Sequence, residues 1–167
     1  MAPHDARGFF AIGVYHAKKE ANIGTLLRSA HNFGAAFVFT VGRRYDRQAS
    51  DTTKAWRHMP LFHFESIEDM MAHVPYDTQV VGVEQDPRAI LLPAFHHPER
   101  AVYLLGAEDY GLPPAALEAA HRLVEVPESA RCLNVSVAGS IVIYDRIAKS
   151  HEWPSIPPSV AEEAASA

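Results

Sequence analysis

An α/β domain built on a mostly parallel sheet flanked by helices is predicted by three features of this sequence. Apolar, β-rich runs alternate with helical patterns along the chain, as βαβ units require. The runs AVYLL and FVFTV are apolar without a break, which fits strands covered on both faces. Three junctions between strand and helix carry polar residues and glycines, and in such sheets ligands sit beyond the carboxyl ends of the strands.

The first strand is expected at Phe9–Tyr15, followed by an amphipathic helix over Ile23–Phe33 with Asn22 at its entry, where an amide can cap the first turn. A second strand, Ala36–Val41, leads into the segment from Gly42 to Pro60, which is long, polar and aperiodic. Such a loop is uncommon in a compact domain unless it is functional. Arg43, Arg44, Arg47, Lys54 and Arg57 outnumber its acids, and Tyr45, Trp56 and His58 are interleaved, a mixture suited to phosphate contacts with stacking on bases. The competing reading is a solvated loop. Leu61–Phe64 reads as a short strand, Ile67–His73 as a helix capped by Ser66, and Gln79–Val83 and Ala101–Leu105 as strands. Prolines at the first turn favour a helix at Pro114–His121. Leu123–Val126 is the last strand and Val137–Ser150 the last helix. Residues 1–150 are thus read as one domain, and 151–167, rich in Pro, Ala and Ser, as a disordered tail.

Composition narrows the function classes. With 167 residues, 48% of them hydrophobic, the chain can bury one core. A lone cysteine, Cys132, excludes an internal disulfide and a cysteine-based zinc cluster and favours a reducing compartment, the cytoplasm. The apolar run at Phe9–Tyr15 is closed off by His16, Lys18, Lys19 and Glu20, so neither a signal peptide nor a membrane span is expected. A net charge of −5 argues against nucleic-acid binding by bulk electrostatics, which leaves the local basic loop to supply it. The histidines are scattered, and even His96-His97 lacks the spacing of a zinc site, so no metal is expected.

The three junctions are Asn22 to Ala35, Leu104 to Leu117 and Arg131 to Asp145. Read together, Asn22-Ile-Gly-Thr-Leu-Leu-Arg28 with Gly34, Gly106-Ala-Glu108-Asp-Tyr-Gly111-Leu112-Pro113, and Leu133-Asn134-Val135-Ser136-Val137-Ala138 resemble the three ordered motifs of the SpoU/TrmH class of SPOUT RNA methyltransferases. The resemblance covers roughly Phe9 to Ala148. It implies a C-terminal deep trefoil knot, an exception to the rule that chains do not thread themselves. It also implies S-adenosylmethionine as cofactor, held near Leu105, Gly106, Ala107, Val126, Leu133, Ser136 and Ala138. The implied reaction is methyl transfer to a ribose 2′-hydroxyl of RNA, with tRNA placed ahead of ribosomal RNA because the chain resembles the minimal members, which lack N-terminal RNA-recognition extensions.

Arg28 matches the motif arginine given the central role. A guanidinium stays protonated, so holding the target phosphate and stabilising an alkoxide suits it better than acting as a base. Asn22 and Asn134 are expected to orient Arg28, the ribose or Glu108, with Glu108 anchoring the network. Cys132 departs from the pattern, since relatives often carry serine there. The resemblance further implies a homodimer that completes the active site across its interface. The alternative is a non-catalytic RNA-binding module that retains the fold. A generic nucleotide-binding enzyme is disfavoured, because no Gly-x-Gly-x-x-Gly or phosphate-loop lysine motif follows a strand.

Overall fold

The computed structural model of the chain describes residues 8–45, 57–128 and 133–150. Its elements are β1 (Phe9–Tyr15), α1 (Glu20–Asn32), β2 (Phe37–Val41), β3 (Leu61–Phe64), α2 (Ile67–His73), β4 (Gln79–Val83), β5 (Ile90–Leu91), β6 (Arg100–Leu105), α3 (Pro114–Ala119), β7 (Arg122–Glu125) and α4 (Val135–Ser150). The sheet runs β3-β2-β1-β6-β4-β7-β5, and every pairing is parallel. The sequence omits only β5, two exposed residues that are too short to register as a period.

Side chains alternate across this sheet. Ile12 and Val14 face α1 and α4, packing with Leu26, Leu27, Val142 and Ile143, while Ala11, Val102 and Leu104 face α2 and α3 and meet Met70 and Ala116. Both faces are therefore covered, which explains the unbroken apolar runs. Two helices, α1 and α4, begin earlier than periodicity indicates, while α2 and α3 begin where it places them. Lys19 is the N-cap of α1 and makes no side-chain cap bond, so Asn22 is no cap but a buried residue of the first turn. α4 begins at Val135, and Asn134 Oδ1 caps it by accepting from the Ser136 N–H at 2.9 Å. Ser66 caps α2 as expected, accepting from the Asp69 N–H at 3.2 Å.

α1 and α4 lie side by side and parallel, matched at Asn134 with Asn22, at Ser140 with Ser29 (2.8 Å) and at Tyr144 with Phe33 (ring centroids 6.2 Å apart). Gly139 permits the approach, since a Cβ there would meet Leu26 Cδ1 at 2.7 Å. Because α4 packs on α1, the chain leaving β7 must return past the ends of β4 and β6. The far end of α4 is tied down by a polar cluster. His97 bonds Tyr103 Oη at 2.6 Å and Asp145 Oδ2 at 2.8 Å, while Arg146 and Lys149 donate to the carbonyls of Pro98, Glu99, Leu92 and Phe95. Burial pushes the Tyr103 hydroxyl up to about 12. No helix of the described residues is long and apolar enough to cross a membrane.

Candidate active site

The carboxyl ends of β1, β6, β4 and β7 open onto a cleft of about 600 Å³, within the usual size of a small-molecule site. A larger hollow of about 940 Å³ lies at the opposite, amino-terminal end of the central strands, but its cations, Arg146 and Lys149, already serve backbone carbonyls. The cleft is the better candidate because convergent side chains surround it.

One wall is the turn after β6, closed by two backbone hydrogen bonds between Ala107 and Gly111 (3.0 and 2.9 Å). Two glycines make this turn possible. A Cβ on Gly106 would lie 2.3 Å from the Gly111 carbonyl carbon, and Gly111 has φ +65° with Glu84 Oε2 2.2 Å from where its Cβ would stand. Glu84, just beyond β4, grips the turn by accepting from the Leu112 N–H at 2.6 Å and holds its own bend through the Gln85 N–H at 3.0 Å. Across the cleft, Glu128 accepts from the Leu133 N–H at 3.1 Å.

From the turn, Glu108 reaches α1. Its Oε1 accepts from Asn22 Nδ2, Asn22 Oδ1 accepts from Asn134 Nδ2 at 2.9 Å, and Asn134 Oδ1 accepts from Ser136 Oγ at 2.6 Å. One chain of hydrogen bonds thus joins all three sequence motifs. The Asn22 amide is 8% exposed, and both of its ends are satisfied by this chain.

Leu105, Gly106, Ala107, Val126, Leu133 and Ala138 line the cleft, as do Asn22, Glu108 and Asn134. Ser136 does not. It is buried beneath Asn134 (4% exposed), where its hydroxyl is committed, so its part is structural support of that amide. Nor does Arg28 reach the cleft. Six positions after Asn22, about 240° around the helix, it is exposed on α1 and makes no ion pair or hydrogen bond among the described residues. Asn22 and Asn134 therefore orient Glu108 and each other, not Arg28.

In the basic loop, Arg43 donates to the Lys18 carbonyl at 3.2 Å and Arg44 to Glu65 at 3.4 Å, both on the exposed rim beside β1 and β2. Arg57 is exposed, and Arg47, Lys54, Trp56 and Cys132 lie outside the described residues. Tyr45 is not a free stacking ring. It packs against the core next to α1, where Gly24 leaves it room. His58 stacks on His31.

Sequence reasoning missed Lys18, Lys19, Glu84, Gln85, Tyr110 and Glu128, which also line the cleft. Glu84 and Gln85 directly follow β4, and Lys18, Lys19 and Glu128 lie within four residues of the ends of β1 and β7, so the rule that ligands bind there was the available signal.

The sequence pattern of the SpoU rRNA Methylase family matches residues 10–144. The tRNA (guanosine(18)-2'-O)-methyltransferase TARBP1 of Mus musculus is 29% identical over 76% of this chain and 8% of its own length. The 23S rRNA (guanosine-2'-O-)-methyltransferase RlmB of Acinetobacter baylyi is 29% identical over 74% of this chain. This chain spans about half of that relative, 53% of its length. In fold, the AdoMet-bound rRNA methyltransferase from Sinorhizobium meliloti superposes with a TM-score of 0.77 at 22% identity, covering 89% of this chain and 58% of that one.

Proposed function

This chain belongs to the SpoU rRNA methylase family, and from that premise we propose that it is an S-adenosylmethionine-dependent RNA 2′-O-ribose methyltransferase that works as a homodimer on tRNA or ribosomal RNA. The observation that carries the reading is the hydrogen-bonded chain Glu108–Asn22–Asn134–Ser136, which fastens the three motifs to one cleft.

The cleft suits the cofactor. Leu105, Val126, Leu133 and Ala138 give apolar surface for an adenine, Gly106 and Ala107 give backbone without steric obstruction, and Glu84 and Glu128 bring carboxylates toward a cationic ligand. When bound, S-adenosylmethionine supplies a methyl group on a sulfonium, an excellent leaving group. The protein then has to align the ribose hydroxyl and ease loss of its proton. Glu108 and Asn134, fixed by Asn22, orient groups at the cleft mouth. Arg28 holds a phosphate and stabilises the developing alkoxide. Its exposed position on α1 suits service to the partner's cleft across the dimer. A trefoil knot in the C-terminal part accords with the return of the chain from β7 to α4 past the ends of β4 and β6.

The displacement of Arg28 from its own cleft also favours a second reading, an RNA-binding module without catalysis, and one experiment separates the two. With labelled cofactor, the wild type is expected to methylate RNA from cells lacking the protein. Arg28→Ala should lower that transfer by about 100-fold or more while calorimetry finds cofactor affinity unchanged. No transfer by the wild type supports the binding module. Loss of cofactor affinity in Arg28→Ala removes the arginine from its proposed role.

A further inference from the structure

Tyr110 stands at the tip of the Ala107–Gly111 turn, lines the mouth of the cleft and is 70% exposed. Its neighbours in the turn are engaged, Glu108 with Asn22 and Asp109 with Lys18. Its own ring meets only one strong group among the described residues, the Lys18 ammonium 5.3 Å from the ring centroid. A large ring left in water forgoes the burial free energy it could gain, and here that cost is borne beside a cleft. The two backbone bonds of the turn and the Glu84 grip on Leu112 fix the main chain from which the ring projects. Lys18 and Lys19 line this mouth alongside the carboxylates of Glu84, Glu108, Asp109 and Glu128, and Arg43 reaches the Lys18 carbonyl from the loop after β2. The pairings of Lys18 with Asp109 and of Arg43 with Glu20 are exposed or loose, so a phosphate can displace them.

An exposed aromatic face next to ammonium and guanidinium groups matches a nucleotide: the ring takes a base, and the cations take the adjoining phosphates. We propose that Tyr110, braced by Lys18, is the platform on which a base of the substrate RNA stacks at the mouth of the cleft. The assignment rests on the methyltransferase reading above and adds to it a residue that grips substrate.

The test uses the full chain, labelled S-adenosylmethionine and two acceptor pools, tRNA and ribosomal RNA from cells lacking the protein. Tyr110→Ala is expected to raise KM for RNA about tenfold, the scale of one lost base–aromatic stack. Cofactor Kd and the sedimentation of the protein should stay unchanged. Tyr110→Phe, which keeps the face and loses the hydroxyl, should restore KM to within about twofold, since stacking needs only the ring. An unchanged KM, a matching rise in cofactor Kd, a shift in oligomeric state, or failure of Tyr110→Phe to rescue would each overturn the platform. If the wild type methylates neither pool, the enzymatic reading fails. The platform is then judged by fluorescence anisotropy with a fluorescein-labelled single-stranded RNA of mixed sequence. Weaker binding by Tyr110→Ala but not Tyr110→Phe upholds it, and equal or absent binding rejects it.

Discussion

Burial holds the His97 imidazole below the ordinary range for histidine, against the opposing pull of its hydrogen bond to Asp145. The side chain is only 5% exposed, between Tyr103 on β6 and Asp145, Arg146 and Lys149 on α4, and the two cations add to the downward push. A histidine that resists protonation when folded takes up its proton more readily in the unfolded chain. Below the ordinary value of about 6.5 the unfolded state therefore binds more protons. Its contribution to stability is complete above that pH and is lost as pH falls through the window down to the folded value. Thermal melts should show Tm falling from pH 7.5 to pH 5.5. In His97→Gln, which cannot titrate, the fall should be shallower, and an equal slope in both proteins would assign the pH dependence elsewhere. The effect belongs to the anchoring of α4, at the opposite end of the strands from the cleft.

At the scale of elements, the turn after β6 shows how a strand end becomes a site. Its shape is imposed by Gly106 and Gly111, its position by Glu84, and its product is the aim of Glu108 at Asn22. Glu84→Gln keeps one acceptor and places an amide donor against an N–H, which leaves a backbone donor poorly paired at a cost of about 1–3 kcal/mol. The loss is local, so hydrogen exchange at the Leu112 amide should quicken by about tenfold or more while the amides of β1 and β6 keep their protection. Equal acceleration throughout would mean that Glu84 stabilises the whole fold rather than the turn. This turn also marks where the sequence stops being legible. Alternation and apolar runs identify six strands and four helices to within a few residues, because those patterns are set by burial on a two-faced sheet. The motif residues Asn22, Glu108 and Asn134 were readable as polar groups at strand-to-helix junctions. Glu84 was not, because its role depends on β4 lying beside β6 with β7 beyond it, a non-consecutive order that no local pattern encodes. For the same reason the buried supporting role of Ser136 beneath Asn134 and the outward aim of Arg28 emerge only once helix starts are fixed by Lys19 and Asn134.

On the scale of the whole molecule, α4 presents an exposed apolar stripe among the described residues. Leu133 leads into it, Val137 and Ile141 follow at helical spacing on its outer side, 38%, 44% and 37% exposed in order, and Tyr144, packed on Phe33, closes it. A continuous apolar stripe of this kind marks an interaction surface, and a second copy of the chain can bury it symmetrically. It lies beside α1, whose exposed side carries Arg28. The proposed homodimer therefore joins two observations, the exposed stripe and an arginine turned from its own cleft. Ile141→Glu should convert a particle of twice 18.4 kDa into a monomer in sedimentation, with circular dichroism unchanged and methyl transfer lost. The stricter check is complementation. If each active site takes its cleft from one protomer and Arg28 from the other, then Arg28→Ala and Glu108→Ala, each inactive alone, form one intact site when co-expressed as a mixed dimer. Random pairing would return roughly a quarter of wild-type activity. If Arg28 acts within its own protomer, no site in the mixture is complete and the co-expressed pair stays inactive.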